Sequence, residues 1–292
     1  MKKFFEYAGF RLLVGIFYII PFPVLYIISD FVYFMIYKVI KYRRPVVYDN
    51  LKQSFPEKTE EEINKLSKAF YHHLADITLE SLKGMTISLK SLKKRYEILN
   101  TGVANEYFNE NKSILCFTSH YGNWEYGILA TDNAIKHQAV ALYLPLTNKY
   151  SEKYGLKRRG RFGTWMVAVQ DTKKVFSESY ESPLAIILAA DQNPSNPERS
   201  IWVRFLNRDT ACLHGPEAYA KKTNFPVVYL KISKPKRGYY TLEIEKLIDN
   251  PSEYAPGEIT QIYMNKLEKD ILRKPEYWLW SHRRWKHSRN IN

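Results

Sequence analysis

The sequence predicts an α/β fold with a mostly parallel, mixed sheet flanked by helices, preceded by a membrane-anchoring helical segment. Three observations predict it. Short apolar runs recur between stretches of helical periodicity, one of those runs is closed by a histidine, and residues 12–29 carry no charge. Strands that alternate with helices pack as a sheet with helices on its faces, because each element has one apolar side to bury. At 292 residues, 45% hydrophobic and 25% charged, the chain has ample material for a core and does not resemble a disordered polypeptide.

The first element is Leu12–Ser29, an unbroken apolar run, after which Asp30 interrupts and Phe31–Tyr37 resumes. Lys2, Lys3 and Arg11 precede it, and Lys38, Lys41, Arg43 and Arg44 follow. A cleavable signal peptide would have a shorter apolar core and a small-residue cleavage site, where this chain has Pro, Asp and a basic cluster. The run is just long enough to cross a bilayer core of about 30 Å. Pro21 and Pro23 kink it near its middle, and cations at both ends give no clear orientation. A pair of apolar helices set into one leaflet accommodates the prolines, the charges and the tyrosines. A true span and a buried hairpin are the alternatives. Residues 1–44 are therefore read as a membrane anchor and 45–292 as the catalytic domain.

A polar helical region follows. Thr59-Glu-Glu-Glu62 has the form of a capping box, and Ile63, Leu66, Phe70 and Leu74 recur at helical spacing after it. From residue 113 the pattern changes to strands, predicted at Ile114–Phe117, Ala139–Leu144, Leu184–Ala189, Trp202–Phe205, Val227–Ile232 and Tyr240–Ile244. Helices are predicted between several of them, as at Thr172–Ser179 and Pro216–Lys222. Cys116 and Cys212 are too few for a disulfide framework and read as free thiols.

The chemistry concentrates in Ser119-His120-Tyr-Gly-Asn-Trp-Glu125. A histidine at the end of a buried strand sits where open α/β sheets place their ligands. Glu125, in the first turn of a following helix, is expected to reach the imidazole Nδ1, fix its tautomer and stabilise the imidazolium formed when Nε2 takes a proton. An alcohol ionises far above neutrality, so its attack on a carbonyl needs such a base. Ser119 is adjacent to His120, and neighbouring strand residues face opposite sides, which disfavours a Ser–His dyad. By itself a His-x4-Glu pair also arises by chance. A metal-dependent hydrolase built on His120, Glu125 and Asp191 would need a further histidine at ligand spacing, and the chain offers no clear one, so no metal is expected. The formal charge of +14 suits an anionic membrane, an acidic carrier protein or a phosphorylated substrate. Nucleic acid is not expected as a partner, since no recognition motif is present and an apolar N-terminal segment is a poor companion for one.

The segment His120-Tyr-Gly-Asn-Trp-Glu125 resembles the His-x4-Asp/Glu motif of the glycerolipid and lysophospholipid acyltransferase superfamily, and within it the late acyltransferases of lipid A biosynthesis. Further segments are similar in the same order. Tyr143-Leu-Pro-Leu146, Arg159-Gly-Arg161-Phe-Gly163, Asp191-Gln192, Gly215-Pro216 and Pro275-Glu-Tyr-Trp-Leu-Trp-Ser-His-Arg-Arg-Trp-Lys286 each match a family block, as do Asn50-Leu51 and Ser54-Phe-Pro-Glu57 upstream. The resemblance implies His120 as general base, Glu125 as its orienting partner, and Arg159 and Arg161 near a phosphorylated glycolipid acceptor or the forming oxyanion, with Asp191 orienting one of these arginines. His282, Arg283 and Arg284 read as a basic face for the membrane or the carrier. It also implies an acyl-carrier-protein or coenzyme A thioester as co-substrate, no further cofactor, and residence on the cytoplasmic face of the inner membrane. Two stretches depart from the family pattern: Asn193–Arg199 replaces a short glycine-containing loop, and Phe205–Thr210 is an unusual version of its block. The acceptor is therefore open between a lipid A precursor and another membrane lipid (a glycolipid, aminolipid or lysophospholipid), and a non-catalytic membrane-bound member of the same fold is the remaining alternative.

Overall fold

The computed structural model describes residues 1–289, so the last three residues of the 45–292 domain lie outside the described residues. Helix α1 (Lys2–Ile19) ends at Ile20, and α2 (Phe22–Phe34) begins after Pro21, with Pro23 also in its first turn. Proline lacks an N–H and is tolerated where that group is unpaired anyway, so the Pro-Phe-Pro run divides the apolar segment in two. Helix α2 runs on through a π-helical turn, Met35–Val39, giving an 18-residue apolar stretch, Phe22–Val39, with mean hydropathy 1.5 and only 17% of it buried in the protein. The short α3 (Arg44–Ser54) follows. The long α4 (Glu60–Gly84) starts with the expected capping box, Thr59 and Glu62 each accepting from the other's backbone N–H.

The remainder is an α/β body. Its elements, in order, are α5 (Leu89–Arg95), β1 (Tyr96–Leu99), α6 (Thr101–Asn109), β2 (Ile114–Thr118), α7 (Trp124–Ala130), β3 (Gln138–Tyr143), α8 (Lys149–Arg159), β4 (Trp165–Ala168), α9 (Thr172–Ser177) and β5 (Leu184–Ala189). They continue with β6 (Ile201–Phe205), β7 (Arg208–Cys212), α10 (His214–Thr223), β8 (Val227–Lys236), β9 (Tyr239–Ile248) and α11 (Glu258–Arg273). Seven strands form one sheet in the order β1-β9-β8-β2-β5-β3-β4, while β6 and β7 make a separate antiparallel hairpin. Strands β8, β2, β5, β3 and β4 run parallel; β9 turns back antiparallel on β8 and carries β1 in its own direction. The sheet is thus mixed and mostly parallel, as predicted. Central strands β2 and β5 are covered on both faces, which is why they read as continuous apolar runs rather than alternating ones.

One register fixes the geometry of everything that follows. Thr118 at the end of β2 pairs with Ala189 at the end of β5, and Ala190 N–H still donates to Thr118 O at 3.1 Å. Two residues beyond each partner lie His120 and Asp191. They leave adjacent parallel strands at the same edge, the carboxyl edge, where this class of sheet opens a cleft.

Candidate active site

His120 is seated by Asp191. The imidazole Nδ1 lies 2.7 Å from Asp191 Oδ1, and the backbone N–H of His120 donates to Asp191 Oδ2 at 2.9 Å. Trp278, brought in by the segment after α11, donates its indole N–H to the same Oδ2 at 2.8 Å. A carboxylate that accepts from an imidazole N–H keeps the proton on Nδ1 and leaves the lone pair on Nε2. That Nε2 faces the Gln192 side-chain amide at 3.2 Å. The Trp124 ring stands edge-on to the imidazole, centroids 5.1 Å apart, and walls one side.

The electrostatics follow from this pairing. Burial by itself would lower the pKa of His120, but the charge and hydrogen bond of Asp191, with the nearby charge of Glu125, outweigh it and the net shift is upward. Asp191 moves the other way. Burial would raise its pKa, and the charge of His120, its two hydrogen bonds and that of Trp278 hold it below the ordinary carboxylate value. The two shifts have the signs of a mutually stabilising buried pair.

The expected Glu125–Nδ1 contact is therefore corrected: Asp191 occupies that position. Glu125 does sit in the first turn of α7, but its carboxylate turns to Arg159, accepting from Nε at 2.9 Å and from Nη2 at 2.5 Å. A guanidinium and a carboxylate meet side by side in this fork, and both oxygens are committed to it. Among the described residues Asp191 likewise holds His120 and Trp278 and orients no arginine. Arg161 takes a different part again. Its Nη2 donates to the carbonyls of Gly84 at 2.9 Å and Ile87 at 2.6 Å, and Nη1 to the carbonyl of Arg158. It ties the end of α4 to the end of α8, apart from the Glu125–Arg159 pair.

The turn between His120 and Glu125 is shaped by two residues. Gly122 has φ of +60°, and a Cβ there would stand 2.6 Å from Ile232 Cγ2, so only glycine fits. Asn123 caps α7 by accepting from Tyr126 N–H at 2.9 Å, and its amide donates to Glu80 at 2.7 Å. The C-terminal segment closes this turn from outside: Gly122 N–H donates to Tyr277 O at 2.9 Å, and Tyr121 bridges to Trp278.

The His282–Arg284 stretch is not a basic face. His282 accepts from Asn193 N–H through Nε2 at 3.2 Å, and burial, with the neighbouring Arg284, His120 and Arg43, pushes its pKa down to about 4. Arg284 is buried and donates to Ala211 O at 2.6 Å and Cys212 Sγ at 3.1 Å, leaving Arg283 as the exposed cation. Sequence reasoning named Gln192 and Trp278 only as parts of family blocks. Their place at His120 had one available signal, the Asp191-Gln192 dipeptide at a strand end.

An open mixed sheet with a His-x4-Glu segment at the ends of its parallel strands, and a carboxylate from the next strand holding the histidine, defines the class of an α/β acyltransferase. The chain belongs to the bacterial lipid A biosynthesis acyltransferase family, whose family model matches residues 2–287. It is similar to the lipid A biosynthesis palmitoleoyltransferase of Escherichia coli strain K12, 22% identical over 270 residues, which are 91% of this chain and 86% of the relative. It is also similar to the lipid A biosynthesis lauroyltransferase of the same organism, 23% identical over 275 residues, or 91% and 87% of the two chains. A lipid A biosynthesis acyltransferase of Shigella flexneri matches at 22% identity with the same coverage as the first.

Proposed function

We propose that the protein transfers a fatty-acyl group from an acyl-carrier-protein thioester to a hydroxyl of a lipid A precursor, with His120 as general base. The observation that carries this reading is the seating of His120: Nδ1 is held by a buried carboxylate while Nε2 is left to a side-chain amide at the open edge. An acceptor hydroxyl that displaces the Gln192 amide gives its proton to Nε2 as its oxygen attacks the thioester carbonyl. The oxyanion so formed collapses with loss of the carrier thiolate, which takes the proton back from the imidazolium. Asp191 acts through the histidine as its positioning partner and stabilises the imidazolium. The Glu125–Arg159 pair stands beside the base. Arg159 commits Nε and Nη2 to Glu125, which leaves Nη1 for the oxyanion or an acceptor phosphate. Arg161 serves by holding α8 in place.

Residues 1–44 act in this reading as an anchor on the cytoplasmic face of the inner membrane. The Phe22–Val39 stretch is about 27 Å long at 1.5 Å per residue, close to a bilayer core. Its polar side, however, is tied to the globular body. Ser29 donates to Asp76 at 2.8 Å, and Asp30 pairs with Arg237 at 2.6 Å. A helix held along the body by such contacts lies in the interface more readily than across the bilayer.

The test is acyl transfer by membranes bearing the native chain or His120→Ala, supplied with labelled acyl carrier protein and a panel of lipid A precursors, lysophospholipids and glycolipids. The expected result is transfer to a lipid A precursor, reduced about 10²–10⁴-fold in His120→Ala with the fold intact. Transfer only to another acceptor on the panel would overturn the lipid A assignment. Full activity of His120→Ala would overturn the base.

A further inference from the structure

We propose that a second segment touches the bilayer besides α1 and α2: the turn from β3 into α8, which with Val169 and the start of α1 forms one apolar, lysine-edged face seated on anionic lipid. The proposal rests on the reading of residues 1–44 as a membrane anchor, and extends it to the catalytic body. Leu144 is 74% exposed, Leu146 53%, Tyr150 55% and Val169 46%. Scattered exposed apolar residues are ordinary, but a contiguous patch marks a contact surface.

Contiguity is what the geometry gives here. Tyr143 and Ala168 are partners in the β3–β4 ladder, so Leu144 and Val169 leave the sheet side by side. Tyr150 stacks on Tyr7 with centroids 5.9 Å apart and meets Phe4 edge-on at 6.1 Å. Lys3 Nζ donates to Thr147 O at 3.2 Å, and Asn148 donates back to Lys3 O at 2.8 Å. The turn and the amino-terminal half of α1 are thus one surface. On α1, Phe4 and Phe5 are themselves more than half exposed.

The charge around it favours a bilayer. Lys149 and Lys174 are balanced by Glu152 and Asp171, and Glu6 lies against Asn148. Lys2 on α1, Lys153 on α8 and Lys173 on α9, which follows Val169, are exposed and have no carboxylate partner among the described residues. Leucine and aromatic tips edged by lysines match the boundary between acyl chains and anionic headgroups. Strands β2, β5, β3 and β4 end at one edge, so this face lies on the same rim as His120 and Asp191. An acceptor hydroxyl then reaches Nε2 without its lipid leaving the interface.

Cys116 and Cys212 are free and buried, so a single cysteine placed at Leu146 takes an environment-sensitive fluorophore alone. Leu146→Cys is compared with Ile16→Cys on α1 and with Glu110→Cys, which precedes β2 at the opposite edge of the sheet. Vesicles of phosphatidylethanolamine and phosphatidylglycerol should brighten and blue-shift the probes at Leu146 and Ile16, with quenching by brominated lipid, and leave Glu110 unchanged. A response at Ile16 with none at Leu146 overturns the second contact and keeps the anchor. A response at Leu146 with none at Ile16 keeps the contact and removes the anchor, while silence at both overturns both. A Leu146 response to acyl carrier protein and not to vesicles assigns the face to a protein and overturns the proposal. In the unlabelled full chain, Leu144→Asp with Leu146→Asp should weaken vesicle partitioning about tenfold with unchanged circular dichroism. Unchanged partitioning would refute it.

Discussion

At the scale of single residues, the pairing of His120 with Asp191 makes a prediction about pH. In the proposed mechanism the histidine works as a base only when neutral, and its pKa is raised, so activity is expected to fall as pH drops through a value above the ordinary 6.5. Asp191→Asn removes the charge that raises it. The acid limb of kcat/KM should then move to lower pH while the plateau falls, because the imidazolium loses its partner. A profile that drops without moving would mean that Asp191 is merely structural. The same pair contributes to stability with the matching signs. The His120 part is full below the unfolded imidazole pKa and fades as pH rises through its raised value. The Asp191 part is present above the unfolded carboxylate pKa and fades as pH falls through its lowered one. His120 itself was legible from a buried apolar run that stops at an imidazole. Its partner was not, because Glu125 is five residues away and Asp191 is 71, and the nearer carboxylate looked sufficient. What decides between them is the β2–β5 register and the fork of Arg159, both long-range facts that no local spacing encodes.

At the scale of elements, one buried carboxylate joins four of them. Glu80 on α4 is fully buried and accepts from Tyr26 of α2 at 2.8 Å, Asn123 at the start of α7 at 2.7 Å and Tyr240 of β9 at 2.7 Å. Beside it, Asp76 accepts from Lys234, Arg237 and Ser29. Lys83, a turn further along α4, donates to the carbonyls of Phe17, Tyr18 and Ile20, which would otherwise be unpaired at the end of α1. Glu80→Ala should strand three donors, each at a cost of about 1–3 kcal/mol. A loss of about 3 kcal/mol or more in chemical denaturation is expected, and a loss below about 1 kcal/mol would mean water replaces the carboxylate. The helical spacing and capping box of α4 were legible because they are local. The strands β1, β4 and β7 and the helix α8 were not predicted. They are short or highly charged, with four to five residues in each strand and a basic α8; β1 and β4 owe their form to neighbours in the sheet, β7 to its hairpin partner β6, and α8 to α1. The basic residues of the C-terminal block misled for a related reason. Charge suggests a surface, but Arg284 is buried and supplied with acceptors from β7, and His282 is half-buried against Asn193.

At the scale of the whole molecule, the proposed lipid contact draws on both the +14 charge and the apolar face. Raising salt from about 0.1 M to 1 M contracts the Debye length from about 10 Å to 3 Å. Flotation with anionic vesicles should weaken over that range yet persist in part through the apolar contacts. Salt-independent flotation would mean that the charge plays no part in it. The C-terminal segment adds an order in time. Trp278 lies 87 residues beyond the Asp191 it steadies, and the turn beside His120 is closed by Tyr277, whereas α1 and α2 come first in the chain. In the proposed reading, a polypeptide made from its amino end therefore presents its anchor to lipid long before its base is seated. In that reading the chain reaches the bilayer in an inert form, and the base is complete only once Trp278 has been made and packed against Asp191.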